Sequence, residues 1–138
     1  INIQNKRHIN HTLKKIRKFV GQKNKAKNEF LYGIFFNNRH IGNIKLGPIN
    51  FKHKYAVISY FFGEKEMEGK GYATLAIKKI IYIAKRMKIK KLKAGVYPMN
   101  IGSQKALKKN RFIKEGLLKK EYLFKKKRID CLLFAKIL

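Results

Sequence analysis

Apolar residues in the second half of the chain recur at a helical spacing and predict two amphipathic helices. In the segment that starts at Tyr72 they recur at i, i+3, i+4, i+7, i+8 and i+11, with lysines on the opposite side. A second helix is predicted over about Ile101–Lys109, with Asn100 as its N-cap. Near the N-terminus, Thr12 is the expected cap of a third helix, which gives way to a predicted linker over Gly21–Asn28.

Six other segments carry the β-branched and aromatic residues that are typical of strands. The predicted strands are Glu29–Phe36, His40–Leu46, Lys54–Phe62, Lys91–Tyr97, Phe112–Phe124 and Ile129–Leu138. Asn37-Asn38 predicts a tight hairpin turn, and Gly47-Pro48 predicts the end of the second strand. The order of helices and strands predicts an α/β fold. We expect one domain over residues 1–138, built on a mixed, mostly antiparallel sheet flanked by helices.

Two glycines stand between the third predicted strand and the following helix, in the sequence Gly69-Lys70-Gly71. Glycine lets the backbone turn tightly and lets a ligand approach it closely. The first N–H groups of a helix have no partner inside the helix, and the helix dipole adds positive potential there. The junction therefore suits a phosphate or pyrophosphate. An ordinary glycine-bearing loop leading into a core helix is the alternative, and so short a motif leaves both open.

The chain is strongly basic, with 35 Lys and Arg against 7 Asp and Glu and a net charge of +28. Such a charge attracts polyanions, which include nucleic acid, anionic membranes and phosphorylated small molecules. Only 6 of the basic residues are Arg, whereas nucleic-acid-binding proteins rely on Arg for bidentate contacts. The lysines are also spread along the chain. This pattern favours a solvated surface, and a nucleic-acid partner is the less favoured alternative.

Several kinds of protein and site are disfavoured by what the chain lacks. Cys131 is the only cysteine, which excludes an internal disulfide and a cysteine-based zinc site, and its apolar surroundings favour a buried thiol. No metal site is expected from the histidines, which are His8, His11, His40 and His53. No apolar stretch approaches the roughly 20 residues that span a bilayer, and no signal peptide is seen. We therefore expect a cytoplasmic protein that does not bind membranes.

Three segments, in their order along the chain, resemble the GNAT N-acetyltransferases. The segments are IGNIKLGPI (Ile41–Ile49), EMEGKGYAT (Glu66–Thr74) and VYPMNIGSQKALKKNRF (Val96–Phe112). The second is similar to the family's Q/R-x-x-G-x-G/A pyrophosphate loop, with Glu66 in the Gln or Arg position, and the third to its N-x-x-S helix. The resemblance covers about Phe30–Leu138 and is strongest to the branch of ribosomal-protein N-terminal and amino-sugar acetyltransferases. The family's first strand has no counterpart here, which implies an N-terminally truncated chain.

The resemblance implies that acetyl-CoA (coenzyme A) is the cofactor, and it indicates which residues bind it. The strand over Ala56–Gly63 is expected to separate from its neighbour at a bulge and to leave room for pantetheine. The residues whose backbone is expected to pair with pantetheine are Tyr60, Phe61 and Phe62. The N–H groups expected to hold the pyrophosphate belong to Gly69, Lys70, Gly71, Tyr72, Ala73 and Thr74. Asn100, Ser103 and Lys105 are expected near the cofactor arm, the sulfur and the adenosine phosphates, although capping alone explains Asn100 and surface exposure alone explains Lys105.

The activity implied by the resemblance is direct transfer of acetyl from acetyl-CoA to a primary amine in a ternary complex. The acceptor is expected to be an amino sugar, another small amine or a protein N-terminus. Ser103 is expected to be the acid that protonates the leaving thiolate, because Leu107 stands where many family members have Tyr. Tyr122 and Asp130 are candidates for contacting the acceptor, although each is also explained as an ordinary strand residue.

Further departures from the family pattern leave a second interpretation open. Val57 stands where related enzymes often have a glutamate, and no carboxylate or histidine is well placed to be the base. Arg111 replaces the glycine before Phe112, so Asn110 is expected to supply any left-handed helix cap. The alternative is a non-catalytic GNAT-like domain that binds nucleic acid or a ribosomal surface through its charge. The intact glycine loop favours the enzyme, and either a monomer or a homodimer is expected.

Overall fold

The computed structural model describes residues 13–63, 65 and 68–138. Its elements, in chain order, are α1 (Leu13–Lys25), β1 (Phe30–Phe36), β2 (Arg39–Asn50), β3 (Tyr55–Phe62), α2 (Tyr72–Arg86), β4 (Lys91–Val96), α3 (Ile101–Lys109), β5 (Ile113–Phe124) and β6 (Lys127–Ile137). This order is the one that the apolar patterns predict, which confirms the α/β fold. No helix in these ranges is long and apolar enough to cross a membrane.

The six strands form one sheet in the order β1-β2-β3-β4-β6-β5. Neighbouring strands are antiparallel except for β3 and β4, which run parallel. Parallel neighbours need a crossover connection, and here the glycine loop and α2 supply it. The mixed, mostly antiparallel sheet expected from the sequence is therefore confirmed, and its parallel pair lies at the centre.

The core lies between one face of this sheet and helices α2 and α3. The buried residues of α2 are Ala76, Ile77, Ile80 and Ala84, and those of α3 are Ala106 and Leu107. The strands contribute Ile44, Leu46, Ile49, Ala56, Ile58, Leu92, Ala94, Val96 and Phe134. Because both helices pack on the same apolar cluster, they are held in position relative to the sheet and to each other.

At α1 and the first hairpin, one local sequence signal agrees with the structure and another does not. Asn37 and Asn38 have φ of 46° and 60°, and they join β1 to β2 in the tight turn that their sequence predicts. The linker predicted to begin at Gly21 is wrong at its start, because α1 continues to Lys25. A single glycine lowers helix propensity by only about 1 kcal/mol, so it does not end a helix by itself. Thr12, the expected cap of α1, lies outside the described residues.

Strand β2 does not end at Gly47-Pro48 as expected but continues to Asn50. Its register with β3 runs from Leu46↔Ile58 to Ile49↔Ala56. Two residues of β2 therefore stand opposite one residue of β3, and the extra residue forms a bulge. A bulge accommodates a proline, which cannot donate a hydrogen bond to the ladder. The bulge expected in β3 is thus found in β2.

Candidate active site

Strands β3 and β4 separate from each other part-way along the sheet. Their register consists of Tyr55↔Lys91, Ala56↔Leu92 and Val57↔Lys93. Beyond these pairs β3 stays bonded to β2 as far as Phe62, and β4 stays bonded to β6 as far as Val96. The edges that β3 and β4 turn towards each other are therefore free over residues 58–62 and 94–96. Free backbone N–H and C=O groups at such an edge need other partners.

The loop after β3 ends at two glycines in a conformation that favours glycine. Gly69 and Gly71 have φ of 75° and 82°, in the left-handed region where a Cβ costs roughly 1–2 kcal/mol. Gly71 is the N-cap of α2. A Cβ built on either glycine would meet no described atom within 4 Å. These glycines therefore serve the backbone turn and leave an open side to the loop.

The first turn of α2 presents N–H groups that have no acceptor inside the helix. Its first internal bond joins the Leu75 N–H to the Gly71 carbonyl at 3.1 Å, so the N–H groups of Tyr72, Ala73 and Thr74 precede it. Within this turn no side chain is acidic, and Gly71 offers no side-chain cap. Among the described residues of this turn, the positive end of the helix dipole therefore meets no carboxylate, as in an anion-binding site.

Helix α3 begins directly beyond β4, and its first turn is fixed by two side chains. The Ser103 N–H donates to Asn100 Oδ1 at 3.1 Å, which confirms Asn100 as the N-cap. Gln104 Nε2 donates to the Pro98 carbonyl at 2.8 Å. These bonds hold the Ser103 side chain at the end of the sheet where β4 has left β3. Lys105, which follows Gln104, is exposed on the helix surface.

The other end of α3 is tied to the start of α2. Asn110 Nδ2 donates at 3.0 Å to the Thr74 carbonyl and at 3.0 Å to the Ala106 carbonyl. Asn110 has φ of −89°, and Arg111, with φ of 62°, takes the left-handed conformation. The expectation of a left-handed Asn110 is therefore wrong, because its amide bridges two helices while the chain reverses one residue later. The bridge fixes the first turn of α2 relative to α3.

The side chain of Tyr60 reaches from β3 towards the first turn of α3. Its ring packs against the core and meets Phe62 edge-on, with ring centroids 6.5 Å apart. Burial raises the pKa of the Tyr60 phenol, and the neighbouring Ser103 hydroxyl lowers it by less. The two hydroxyls lie outside hydrogen-bonding geometry, and the buried Tyr60 oxygen has no partner among the described residues. The resemblance to the family implies a role for the backbone of Tyr60 alone, because no sequence motif reveals this tertiary contact of its side chain.

A second group of hydroxyls lies on the opposite face of the sheet, since Tyr97 follows Val96 and side chains alternate. The rings of Tyr97 and Tyr122 meet edge-on, with centroids 5.4 Å apart. A Cβ added at Gly95 would come within 3.0 Å of Cys131 Sγ and 3.9 Å of the Tyr122 hydroxyl. Burial, aided by Tyr122 and Cys131, raises the pKa of Tyr97 to about 12. Burial and the Cys131 thiol likewise raise the pKa of Tyr122.

The two candidates for contacting the acceptor have different surroundings. Tyr122 belongs to the group just described. Asp130 Oδ1 accepts a hydrogen bond of 2.8 Å from the Lys120 N–H, where the β5–β6 register is irregular between Leu118 and Tyr122. Arg128 Nη1 donates to the Lys120 carbonyl at 3.1 Å. The Asp130 carboxylate is therefore engaged in holding the backbone of β5.

Eleven of the predicted cofactor-binding residues lie at one end of the sheet. Those beside the β3–β4 gap are Tyr60, Phe61, Phe62, Asn100 and Ser103, and those at the start of α2 are Gly69, Lys70, Gly71, Tyr72, Ala73 and Thr74. Leu107, which stands in the position of the family's tyrosine, is fully buried in the core. Val57 is the last β3 residue that pairs with β4. Glu66 lies outside the described residues.

Comparison with known proteins identifies a family. The Acetyltransferase (GNAT) domain family matches residues 3–113. A probable N-acetyltransferase of Bacillus subtilis, YjcK, is 36% identical over 96 residues, which are 67% of this chain and 52% of the relative. The chain thus spans about half the length of this curated relative.

Solved structures share the fold at lower identity. RimJ of Mycobacterium smegmatis, in complex with CoA-disulfide, superposes with a TM-score of 0.85 at 21% identity, over 92% of this chain and 63% of RimJ. RimL, a ribosomal L7/L12 alpha-N-protein acetyltransferase in complex with coenzyme A, gives 0.86 at 21% identity, over 93% and 74%. A SpeG spermidine N-acetyltransferase chimera from Vibrio cholerae and hSSAT gives 0.86 at 17% identity, over 99% and 84%. At these identities the structures support the fold alone, whereas the family match covers most of the chain, and the chain belongs to the GNAT acetyltransferase domain family.

Proposed function

We propose that this chain is an N-acetyltransferase that moves acetyl from acetyl-CoA to a primary amine by direct transfer in a ternary complex. One observation carries the proposal: the free edge of β3 in the β3–β4 gap leads into the glycine loop and the open N-terminus of α2. An extended ligand with an anionic end fits this arrangement. Acetyl-CoA combines such an anionic end with an amide-containing arm.

The glycine loop is assigned to the pyrophosphate. The donors would be the N–H groups of Gly69, Lys70, Gly71, Tyr72, Ala73 and Thr74. The open side of both glycines leaves room for phosphate oxygens, and the bound anion would complement the helix dipole. Lys70 and Lys105, both exposed, would add positive charge near the pyrophosphate and the adenosine phosphates.

The free edge of β3 is assigned to the pantetheine arm. Its amides would pair with backbone groups of Tyr60, Phe61 and Phe62 as an added strand would, which is how extended ligands bind to sheet edges. This pairing would bring the thioester to the end of the gap, beside Asn100 and Ser103. Acetyl-CoA supplies the activated acetyl group there.

Transfer requires a neutral amine, a polarised carbonyl and a stabilised leaving sulfur. The amine nitrogen bonds to the thioester carbonyl carbon, the carbon–sulfur bond breaks, and its electron pair leaves with the sulfur. The proton lost from nitrogen passes to water or to a base on the acceptor side. A free-edge N–H of β3 would donate to the carbonyl oxygen. Ser103, in the first turn of α3, would protonate the sulfur.

The acceptor is assigned to the face of the sheet that carries Tyr97 and Tyr122, with Asp130 as a further candidate whose bond to Lys120 favours a structural role. Related folds act on different acceptors, so the fold does not select one. A net charge of +28 repels polycations such as spermidine and attracts anions. We therefore favour an amino sugar on a nucleotide carrier, or a protein N-terminus, over a polyamine.

An acceptor screen tests the proposal. Release of CoA from acetyl-CoA would be followed with nucleotide-linked amino sugars, peptides with free N-termini and polyamines, and the acetylated product would be identified by mass. We expect turnover with an anionic or peptide amine. The absence of both CoA binding and CoA release across the panel would contradict the proposal.

A second candidate function rests on the hairpin of β5 and β6. Its exposed basic residues are Lys114, Lys119, Lys120, Lys125, Lys126, Lys127 and Arg128. A cluster of this kind attracts nucleic acid. Saturable RNA binding that weakens steeply with salt would support this function, and weak binding without saturation would count against it.

A further inference from the structure

Two buried hydroxyls, those of Tyr60 and Tyr97, have no hydrogen-bond partner in the part of the chain that the structure describes. Burying a hydroxyl without a partner is costly, so each such group in a folded protein calls for an explanation. Tyr60 lies on the core face of the sheet and Tyr97 on the other, both where β3 and β4 have separated. Of the two, Tyr60 is the one beside Ser103.

The position of Tyr60 brings its hydroxyl to the place assigned to the sulfur. Tyr60 lies three residues beyond Val57, the last β3 residue that pairs with β4. Its side chain extends towards α3, which begins just after β4 ends. Ser103 is held there by the bond of its N–H to Asn100. Two hydroxyls from different elements therefore converge at the end of the gap.

We propose that the side chain of Tyr60 is a second hydroxyl donor to the leaving sulfur and acts together with Ser103. The proposal rests on the proposed acetyltransferase function and adds a catalytic residue to it. Thiolate sulfur is an acceptor for both hydroxyls, so the ligand would satisfy the hydrogen-bonding capacity that Tyr60 lacks in the protein alone. The Tyr60 side chain thereby acquires a role that its backbone position does not imply.

Tyr60 stabilises the thiolate by a hydrogen bond and keeps its own proton. A thiol has a pKa of about 8.5 and a phenol one of about 10, and burial raises the pKa of Tyr60 further. Proton transfer from this phenol to a thiolate is therefore uphill. The sulfur is protonated through a relay: the water that received the amine proton gives a proton to the Ser103 oxygen as the Ser103 hydroxyl proton moves to the sulfur, so that no alkoxide forms and Tyr60 stays uncharged.

The test measures the ionisation of the bound CoA thiol, a readout that does not require turnover. Thiolate ultraviolet absorbance would be titrated in protein saturated with CoA. The same protein saturated with desulfo-CoA, which lacks the sulfur, would be subtracted to remove the signals of tyrosines and Cys131. The variants are Tyr60→Phe, Ser103→Ala and the double variant. Tyr32→Phe is the matched control, because Tyr32 is a partly buried tyrosine on β1 that packs against the same core.

Loss of a hydrogen bond to a charged group changes an equilibrium constant by about 10- to 100-fold. Tyr60→Phe should reduce the ionisation constant of the bound thiol by about that factor and should leave desulfo-CoA affinity unchanged. The variant should fold, because the substitution removes only a hydroxyl that has no partner among the described residues. Tyr32→Phe should change neither quantity. An unchanged ionisation constant in Tyr60→Phe, with CoA still bound, would overturn the role of Tyr60 and leave the proposed function standing. Failure of the parent chain to bind CoA would instead overturn the proposed function.

Discussion

Asn100 and Ser103 have separate tasks at the start of α3, which makes the function of the Ser103 hydroxyl testable on its own. The cap bond runs from the Ser103 backbone N–H to Asn100 Oδ1, so it does not use the hydroxyl. Replacing Ser103 with alanine therefore keeps the cap. A change in activity on this replacement would reflect chemistry at the hydroxyl and not loss of the helix terminus.

Ser103→Ala should lower kcat and kcat/KM together, with little change in CoA affinity, because in the proposed mechanism the hydroxyl acts on the sulfur in the transition state. General acid catalysis gives about 10²–10⁴-fold, and the lower end is expected since thiolate is a good leaving group. The measurements are steady-state kinetics, CoA titration and urea unfolding, and the unfolding midpoint should not change. A normal kcat with CoA affinity weakened by about 1 kcal/mol would instead assign Ser103 to hydrogen bonding with pantetheine.

Tyr97 provides a prediction about alkaline stability. Burial raises its pKa from about 10 to about 12. The folded state holds the phenolic proton more tightly than the unfolded chain does, so the unfolding free energy falls as pH rises across this interval. Tyr97→Phe should make that decline shallower in urea unfolding measured from pH 9 to pH 12, and Tyr82→Phe, at an exposed position on α2, controls for loss of a hydroxyl. A decline of equal slope in Tyr97→Phe would show that other groups cause it.

Single residues also mark the limit of what the sequence predicts. Asn100 was identifiable as a cap because capping is a local property of three or four consecutive residues. The Tyr60 hydroxyl was not, since its burial and its proximity to Ser103 depend on how β3 and α3 pack. The same holds for Asp130, whose bond to Lys120 follows from the register of β5 and β6.

At the scale of elements, the junction of β3 and α2 is the feature to which the proposed function assigns the cofactor pyrophosphate. Gly71 combines a φ of 82° with open space where a side chain would stand. An added side chain would therefore not clash with the protein but would occupy the volume assigned to the pyrophosphate. A loss of binding can thus be separated from a loss of folding.

Gly71→Glu should abolish CoA binding and leave the fold intact, because it introduces both a side chain and a negative charge into the anion site. Strain at the left-handed position should cost roughly 1–2 kcal/mol of stability. Isothermal titration with CoA and circular dichroism measure the two effects. The control is Gly21→Glu in α1, where a side chain also meets open space and adds the same charge. Equal CoA affinity in Gly71→Glu and the parent would mean that the loop does not hold the pyrophosphate.

Helices and strands were predictable where apolar residues recur locally at helical or strand spacing. The buried face of α2 follows directly from its spacing of apolar residues. The continuation of β2 through Gly47-Pro48 does not, because a break signal and a bulge look alike in sequence and only the pairing with β3 distinguishes them. The separation of β3 from β4 likewise belongs to the sheet, and here the resemblance to a family supplied what the residues alone did not.

At the scale of the whole molecule, the charge acts on every anion that approaches. A net charge of +28 raises the local concentration of anionic ligands at low salt, and this long-range effect decays over about 8 Å at physiological ionic strength. One lysine therefore contributes to CoA affinity in two ways: through the net charge of the protein, which any charged residue affects, and through direct contact with the ligand. Comparing two lysines at opposite ends of the sheet separates these contributions.

Lys105 on α3 lies at the end of the sheet that carries the site, whereas Lys52 lies in the turn between β2 and β3 at the other end. Lys105→Glu and Lys52→Glu change the net charge equally. If Lys105 meets the adenosine phosphates, Lys105→Glu should weaken CoA binding by about three- to tenfold at physiological salt, from a screened interaction of order 1 kcal/mol. Lys52→Glu should have little effect there, and both variants should weaken binding at low salt through the general charge. The loss in Lys105→Glu should also be smaller for dephospho-CoA, which lacks one of the phosphates. Equal losses for the two variants at physiological salt would assign Lys105 to the solvated surface.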